Sequence, residues 1–170
     1  MNKLIRTFAI SSLFFCSITY AQGRVDINEI EVKGVRLGMN KAEAEELLGT
    51  RINPKQFSIA GVSSKTPPAI FNNFIDEKLS SFTFLFHSSN FLQLLVAVKG
   101  KYPELICETS EVKNKMGAAF EQVQCKLNSP EGNLLLSKYY LDLNSSGLVL
   151  RSIQEIEQSR KVIEKNKKDI

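Results

Sequence analysis

The chain has no tryptophan, a single histidine and three cysteines among 170 residues. One histidine excludes every multi-histidine zinc site, the two-histidine facial triad and the H-E-x-x-H helix, because each needs at least two imidazoles. Glycine is absent where nucleotides would need it: no glycine-rich loop is followed by Lys-Ser or Lys-Thr, which removes the phosphate-cradling P-loop. A G-x-S-x-G elbow, which would lift a serine nucleophile off a sheet, is missing as well. Charge is nearly balanced at +4. It is not arranged in the basic stripe with interleaved aromatics that marks a dedicated nucleic-acid binder. No cofactor and no metal is expected.

Long apolar runs are missing too. The longest, residues 7–20, is centred on Ile10, Leu13, Phe14, Phe15 and Ile18 and falls short of the ~20 residues a membrane span requires. Lys3 and Arg6 precede it, and Thr19 and Ala21 supply small residues at the −3 and −1 positions. Residues 1–21 therefore read as a signal peptide with Gln22 as the first mature residue, rather than as an anchor. Phe15 stands where a lipobox needs a small residue before Cys16, which argues against a lipid anchor. A periplasmic or secreted protein is expected, with a mature part large enough for one domain to bury its own core.

In an oxidising compartment the two remaining cysteines, Cys107 and Cys125, are expected to pair. Closing a loop of about nineteen residues contributes on the order of 3 kcal/mol in the chain-entropy model. A reactive thiol pair, the alternative, would want C-x-x-C spacing or a neighbouring cation. Strands over 105–112 and 118–127, turning about Met116, set Cys107 opposite Cys125. The same register pairs Thr109 with Val123 and Val112 with Phe120, and it sets Glu111 against Glu121.

The stretch GVRLGMNKAEAEELLG, Gly34 to Gly49, predicts a short capped helix. Asn40 is a good N-cap with Glu43 at the capping-box position, Ala44, Leu47 and Leu48 form one apolar stripe, and Gly49 ends the helix. A helix of about ten residues does not stand alone in water, so it must lie on a sheet. This string resembles the signature of the BamE/SmpA/OmlA-like superfamily of small bacterial envelope proteins, which shares its helix-plus-antiparallel-sheet form with the β-lactamase inhibitor proteins. The resemblance implies an α+β fold and an interaction role in the envelope.

Around that helix, residues 25–37 read as a lead-in strand and 57–62 as a short strand. Residues 70–75 and 79–86 form a hairpin about Asp76-Glu77-Lys78, with Phe82, Phe84 and Phe86 on one face. Ser88, Ser89 or Asn90 caps a second helix with Phe91, Leu94, Leu95 and Val98 inward and a stop at Gly100. Asn133–Leu143, with Leu135, Tyr139, Leu141 and Leu143 on one face, and Leu148–Ile153 complete the strands. The tail is expected to dock through Ile153, Ile156 and Ile163, or else to serve as a basic amphipathic helix that touches a membrane or partner. The architecture expected is α+β: two helix-plus-antiparallel-meander halves, about 25–87 and 88–155, with helices on one face of the sheet and a charged helix or tail at 156–170.

Catalytic chemistry is scarce. Glu43, Glu45, Glu46, Asp76, Glu77, Glu108 and Glu111 sit among polar residues, where nothing in the sequence shifts a carboxylate toward acid–base work. His87 with Ser88 is the one nucleophile–base pairing available. The reading is a non-catalytic protein-interaction module whose partner is another envelope or secreted protein, met through Phe120, Gln122, Gln124 and Tyr140 on a polar sheet face that also offers Thr109, Glu111 and Lys126. A small apolar ligand held between the phenylalanine row and the second helix is one alternative. A hydrolase using His87 is the other.

Overall fold

In a β-strand alternate side chains share a face, so Phe82, Phe84 and Phe86 must all be covered at once. The computed structural model describes residues 25–50, 53–54, 58–63 and 70–167; the expected signal peptide and the segments 51–52, 55–57 and 64–69 lie outside it. Two helices precede and follow the first long hairpin: α1 (Lys41–Leu48) and α2 (Phe91–Lys101), with α3 (Ile153–Lys167) at the end. Two small hairpins, β1–β2 (Gly49–Thr50, Asn53–Pro54) and β3–β4 (Ser58–Ile59, Val62–Ser63), follow α1. The remaining strands are β5 (Ile70–Ile75), β6 (Lys78–His87), β7 (Ile106–Lys113), β8 (Ala119–Ser129), β9 (Gly132–Ser137) and β10 (Ser145–Ser152). They make one six-stranded antiparallel sheet in the order β5-β6-β10-β9-β8-β7, so the fold is α+β.

Register carries the phenylalanine face across the sheet. Phe84 pairs with Leu148, Leu148 with Leu136, Leu136 with Cys125 and Cys125 with Cys107. One row over, Phe82, Leu150, Leu134 and Leu127 line up in the same way. All of these except Cys107 are buried. Each large side chain taken fully out of water contributes roughly 1.5–3 kcal/mol before the entropy of ordering it is counted. Ala44 and Leu48 of α1 and Phe91, Leu94 and Val98 of α2 belong to the same core. Leu47, expected in the α1 stripe, is 40% exposed.

The rest of the cover comes from residues 25–39, which are not a lead-in strand. Asp26 caps a 3-10 turn at Ile27–Glu29 by accepting from Asn28 N–H at 2.8 Å. A tight turn then closes between Val32 and Val35, with Lys33 at φ +55° and Gly34 at φ +84°. Ile27 and Ile30 are spaced for a turn, not a strand, and both are buried with Val35, Leu37 and Met39. Asn40, expected as the side-chain cap of α1, instead accepts from the Lys78 ammonium at 2.8 Å. Its neighbours bond to the β5–β6 turn through Leu79 N–H to Met39 O at 2.8 Å and Lys41 N–H to Glu77 O at 3.0 Å.

Other boundaries differ from expectation for local reasons. Residues 58–63 turn back at Ala60-Gly61, both at positive φ, so the described part of the strand expected over 57–62 belongs to a small hairpin, and residue 57 lies outside the described residues. Asp76 and Glu77 alone make the β5–β6 turn, both at positive φ, and Lys78 joins the strand. β9 stops at Ser137 and β10 begins at Ser145, so Gly147 lies within a strand, opposite Leu85 and Ser137. In β9 the core side chains are Leu134 and Leu136, while Leu135 is half-buried and Leu141 is exposed.

Of the three isoleucines expected to dock α3 only Ile156 is half-buried, and polar groups make the specific ties. Ser152 Oγ accepts from Glu155 N–H at 3.2 Å, and the Glu155 carboxylate accepts from Asn73 Nδ2 at 2.7 Å and from Ser80 Oγ at 3.1 Å. Ile153 and Ile163 are exposed and no residue of the helix is buried.

Gly132, at the start of β9, has no room for a side chain: a Cβ there would run into the backbone carbonyl of Arg151 and lie 3.0 Å from Ser152 Cα. Backbone cannot step aside as a side chain can. Gly132→Ala is expected to destabilise the fold by about 2–3 kcal/mol in urea denaturation, whereas Gly117→Ala, which meets open space but sits at φ +82°, is expected to cost about 1 kcal/mol.

Candidate functional site

The hairpin β7–β8 is pinned by a disulfide between Cys107 and Cys125. Its register is the one expected, including Thr109 with Val123, Val112 with Phe120 and the like-charged Glu111 with Glu121. Those two carboxylates are exposed, and each has a cation nearby: Lys113 at 3.5 Å from Glu111 and Lys138 at 3.8 Å from Glu121.

The Cα atoms of Cys107 and Cys125 are 3.9 Å apart, the close spacing of a non-hydrogen-bonded antiparallel pair. Ladder bonds to β8 therefore alternate through Ile106, Glu108, Ser110 and Val112, and the series continues with Asn114 N–H to Ala118 O at 3.0 Å. Cys107, Thr109, Glu111 and Lys113 direct their N–H and C=O groups the other way, off the edge of the sheet. Among the described residues no strand pairs with that edge. β7 is exposed throughout except at half-buried Val112, and Ile106 is 70% exposed.

Of the four expected interface residues, Phe120, Gln122 and Gln124 share one face of β8, but the four are not equally accessible. Gln122 is buried: its amide donates to Ser137 Oγ and to Tyr139 O at 2.8 Å each, while its carbonyl accepts from Tyr139 N–H at 2.9 Å. It holds the 138–144 loop to the sheet, and both of its amide hydrogens are used within the protein. Phe120 is half-buried, edge-on to Tyr139 with ring centroids 6.3 Å apart. Gln124 is half-buried. Tyr140 folds back over Gly147, where a Cβ would lie 2.7 Å from its ring. Tyr140 remains 36% exposed beside exposed Leu141. Thr109 and Glu111, read as companions of Gln122 and Gln124, pair with odd-numbered residues of β8 and so project from the opposite face. Lys126 is exposed on the Gln124 face.

His87 is exposed and accepts from Ser89 N–H at 3.4 Å, with Nδ1 3.1 Å from Ser89 Oγ. Ser88, the partner expected, instead donates to Leu143 O at 3.0 Å. This geometry caps the 3-10 turn at Ser88–Asn90, and among the described residues no carboxylate reaches the ring to orient it as a base.

The phenylalanine row itself is fully covered, with Phe82, Phe84 and Phe86 at 0% exposure. A cavity of about 240 Å³ lies beside it. Leu134 and Leu148 of the sheet line it, with Leu94, Ala97 and Val98 of α2 along one wall. Ile30 and Val32 of the N-terminal turn and Ile59 of the β3–β4 hairpin complete its apolar lining. No regular spacing in the sequence marks it, because its walls come from five separate segments.

Because Gln122 satisfies three groups at once, Gln122→Ala is expected to cost about 2–3 kcal/mol in thermal or urea unfolding. Gln124→Ala, with no such bonds described, is expected to stay within about 0.5 kcal/mol. No protein-family model, no curated protein and no solved structure matches this chain.

Proposed function

We propose that the protein is an exported, non-catalytic interaction module that accepts an extended segment of another envelope or secreted protein along the outer edge of β7. The observation that carries this is the open edge: Cys107, Thr109, Glu111 and Lys113 offer outward donors and acceptors along an eight-residue strand. Adding a strand there gives main-chain hydrogen bonds, and exposed Ile106 offers an apolar contact for specificity. Charged side chains at Glu108, Glu111 and Lys113 are the usual guard against indiscriminate pairing. The disulfide keeps the edge straight before a partner arrives, which lowers the ordering cost of binding.

Support for export comes from the disulfide, which persists in oxidising compartments, together with the leader-like residues 1–21. Kinship with the BamE/SmpA/OmlA-like envelope proteins is part of the same proposal, as are the two halves 25–87 and 88–155. What favours two halves is the placement of their strands: β5–β6 from the first and β7–β10 from the second occupy adjoining blocks of the sheet that meet at β6–β10.

The test uses proline where it removes only an outward donor. Thr109→Pro deletes an N–H that β8 does not use and leaves the β7–β8 ladder intact. A photo-crosslinker at Glu111, in the protein's native compartment, is expected to give a discrete adduct that Thr109→Pro abolishes while thermal unfolding shifts by only a few degrees. If the folded Thr109→Pro protein gave the same adduct as the wild type, edge pairing would be wrong.

A further inference from the structure

The strongest feature outside the β7 edge is the cavity between α2, the N-terminal turn and the β3–β4 hairpin. It is built rather than left over. The Gln93 amide of α2 donates to Ala60 O at 2.9 Å and ties the hairpin tip to the helix. At the other end of α2, Lys101 Nζ donates to Glu31 O at 3.4 Å and ties down the N-terminal turn. Two flaps are thus pinned to one helix, and the space between them stays open over Leu134 and Leu148.

Its walls are aliphatic, but its rim is not. Lys33 and Lys101 both line it, with Tyr102 beside them. Lys101 Nζ stands 5.3 Å from the Tyr102 ring centroid, a position over an aromatic face that holds an ammonium in place. An ammonium has three donors, and one is spent on Glu31 O. Lys33 lines the same side of the cavity from the tight turn, where its backbone is left-handed at φ +55°, which a lysine adopts only at a cost. Glu31 also lies at the rim, but its carboxylate is turned to Gly34 N–H, from which it accepts at 3.1 Å. Two cationic residues against one anionic residue leave the lining of the mouth with a net charge of about +1.

We infer that this cavity binds a single-chain amphiphile with an anionic head: an unbranched aliphatic tail in the pocket and a carboxylate at Lys101 and Lys33. The size fits a medium chain. A dry cavity of about 150 Å³ accommodates benzene, so 240 Å³ takes a tail on the order of eight to ten carbons. Burying that tail supplies the affinity, and the two ammonium groups supply the choice of head. This site is independent of the β7 edge, and either can fail without the other.

The test compares three probes with one tail, each kept below its micelle concentration or, for decanol, its solubility limit: decanoate, decanol and decyltrimethylammonium. With no tryptophan in the chain, binding is followed by titration calorimetry and by the methyl NMR signals of Leu94, Leu134 and Leu148. Decanoate is expected to bind at one site, at least about tenfold more tightly than decanol, and the cationic probe more weakly than either. Lys101→Gln is expected to erase the preference for decanoate while leaving decanol unchanged. Ala97, exposed on α2 and lining the cavity, takes a larger side chain without disturbing the core, so Ala97→Phe should abolish binding of both while the protein unfolds at or above its usual temperature. Equal affinity for decanoate and decanol, no saturable binding of decanoate to the folded wild type, or undiminished binding to Ala97→Phe would each overturn the inference.

Discussion

The cross-strand row from Phe84 through Leu148, Leu136 and Cys125 to Cys107 is the constraint on which the rest of the molecule depends. It exists only because β10, the last strand, inserts between β6 and β9 and so connects the first long hairpin to the later meander. A shift of one residue anywhere along it would turn a leucine or phenylalanine to the wrong face. Every covering segment answers to that row: α1 and α2 lay apolar stripes over it, and residues 27–39 wrap across what the two short helices leave bare.

The sheet's two ends are finished differently. At the β5 end, the hairpin is tied by Asn40 to α1 and by Glu155 to α3. At the β7 end nothing described lies over the strand, and stiffness comes from the disulfide instead of from packing. An open edge held by a covalent bond is stable without being covered. That combination is what an edge that receives a partner requires, and charged residues along it limit accidental pairing. The cavity under α2 lies on the core side of the same sheet, so occupation of one site does not block the other.

Where the chain itself contained two independent constraints, the sequence was readable. The turn near Met116 and the pair of cysteines agree on a single register, and the alternation of Phe82, Phe84 and Phe86 with Ser81 and Thr83 marks a strand with one phenylalanine face, although Thr83 and Leu85 on its other face are buried as well. Sheet order was not readable, because the β6–β10 pairing joins residues roughly sixty to seventy positions apart with no local signal. Residues 25–37 mislead for a related reason: β-branched residues among charges look like a strand, while Ile27 and Ile30 in fact follow a turn. Gln122 looks like a solvent-facing strand residue, since a glutamine clamping a loop has the same sequence signature as one in water. A break in alternation after Ser137, where Lys138-Tyr139-Tyr140 no longer fits a two-residue period, is the one sign that β9 ends there.

The most direct measurement is residue-resolved amide hydrogen exchange along β7. An open, disulfide-pinned edge predicts alternation: Cys107, Thr109, Glu111 and Lys113 exchange at nearly free rates, while Glu108, Ser110 and Val112 are slowed by about a hundredfold or more. Uniform slow exchange would show the edge already covered, and uniform fast exchange would show no ladder to β8. Either result would contradict the account.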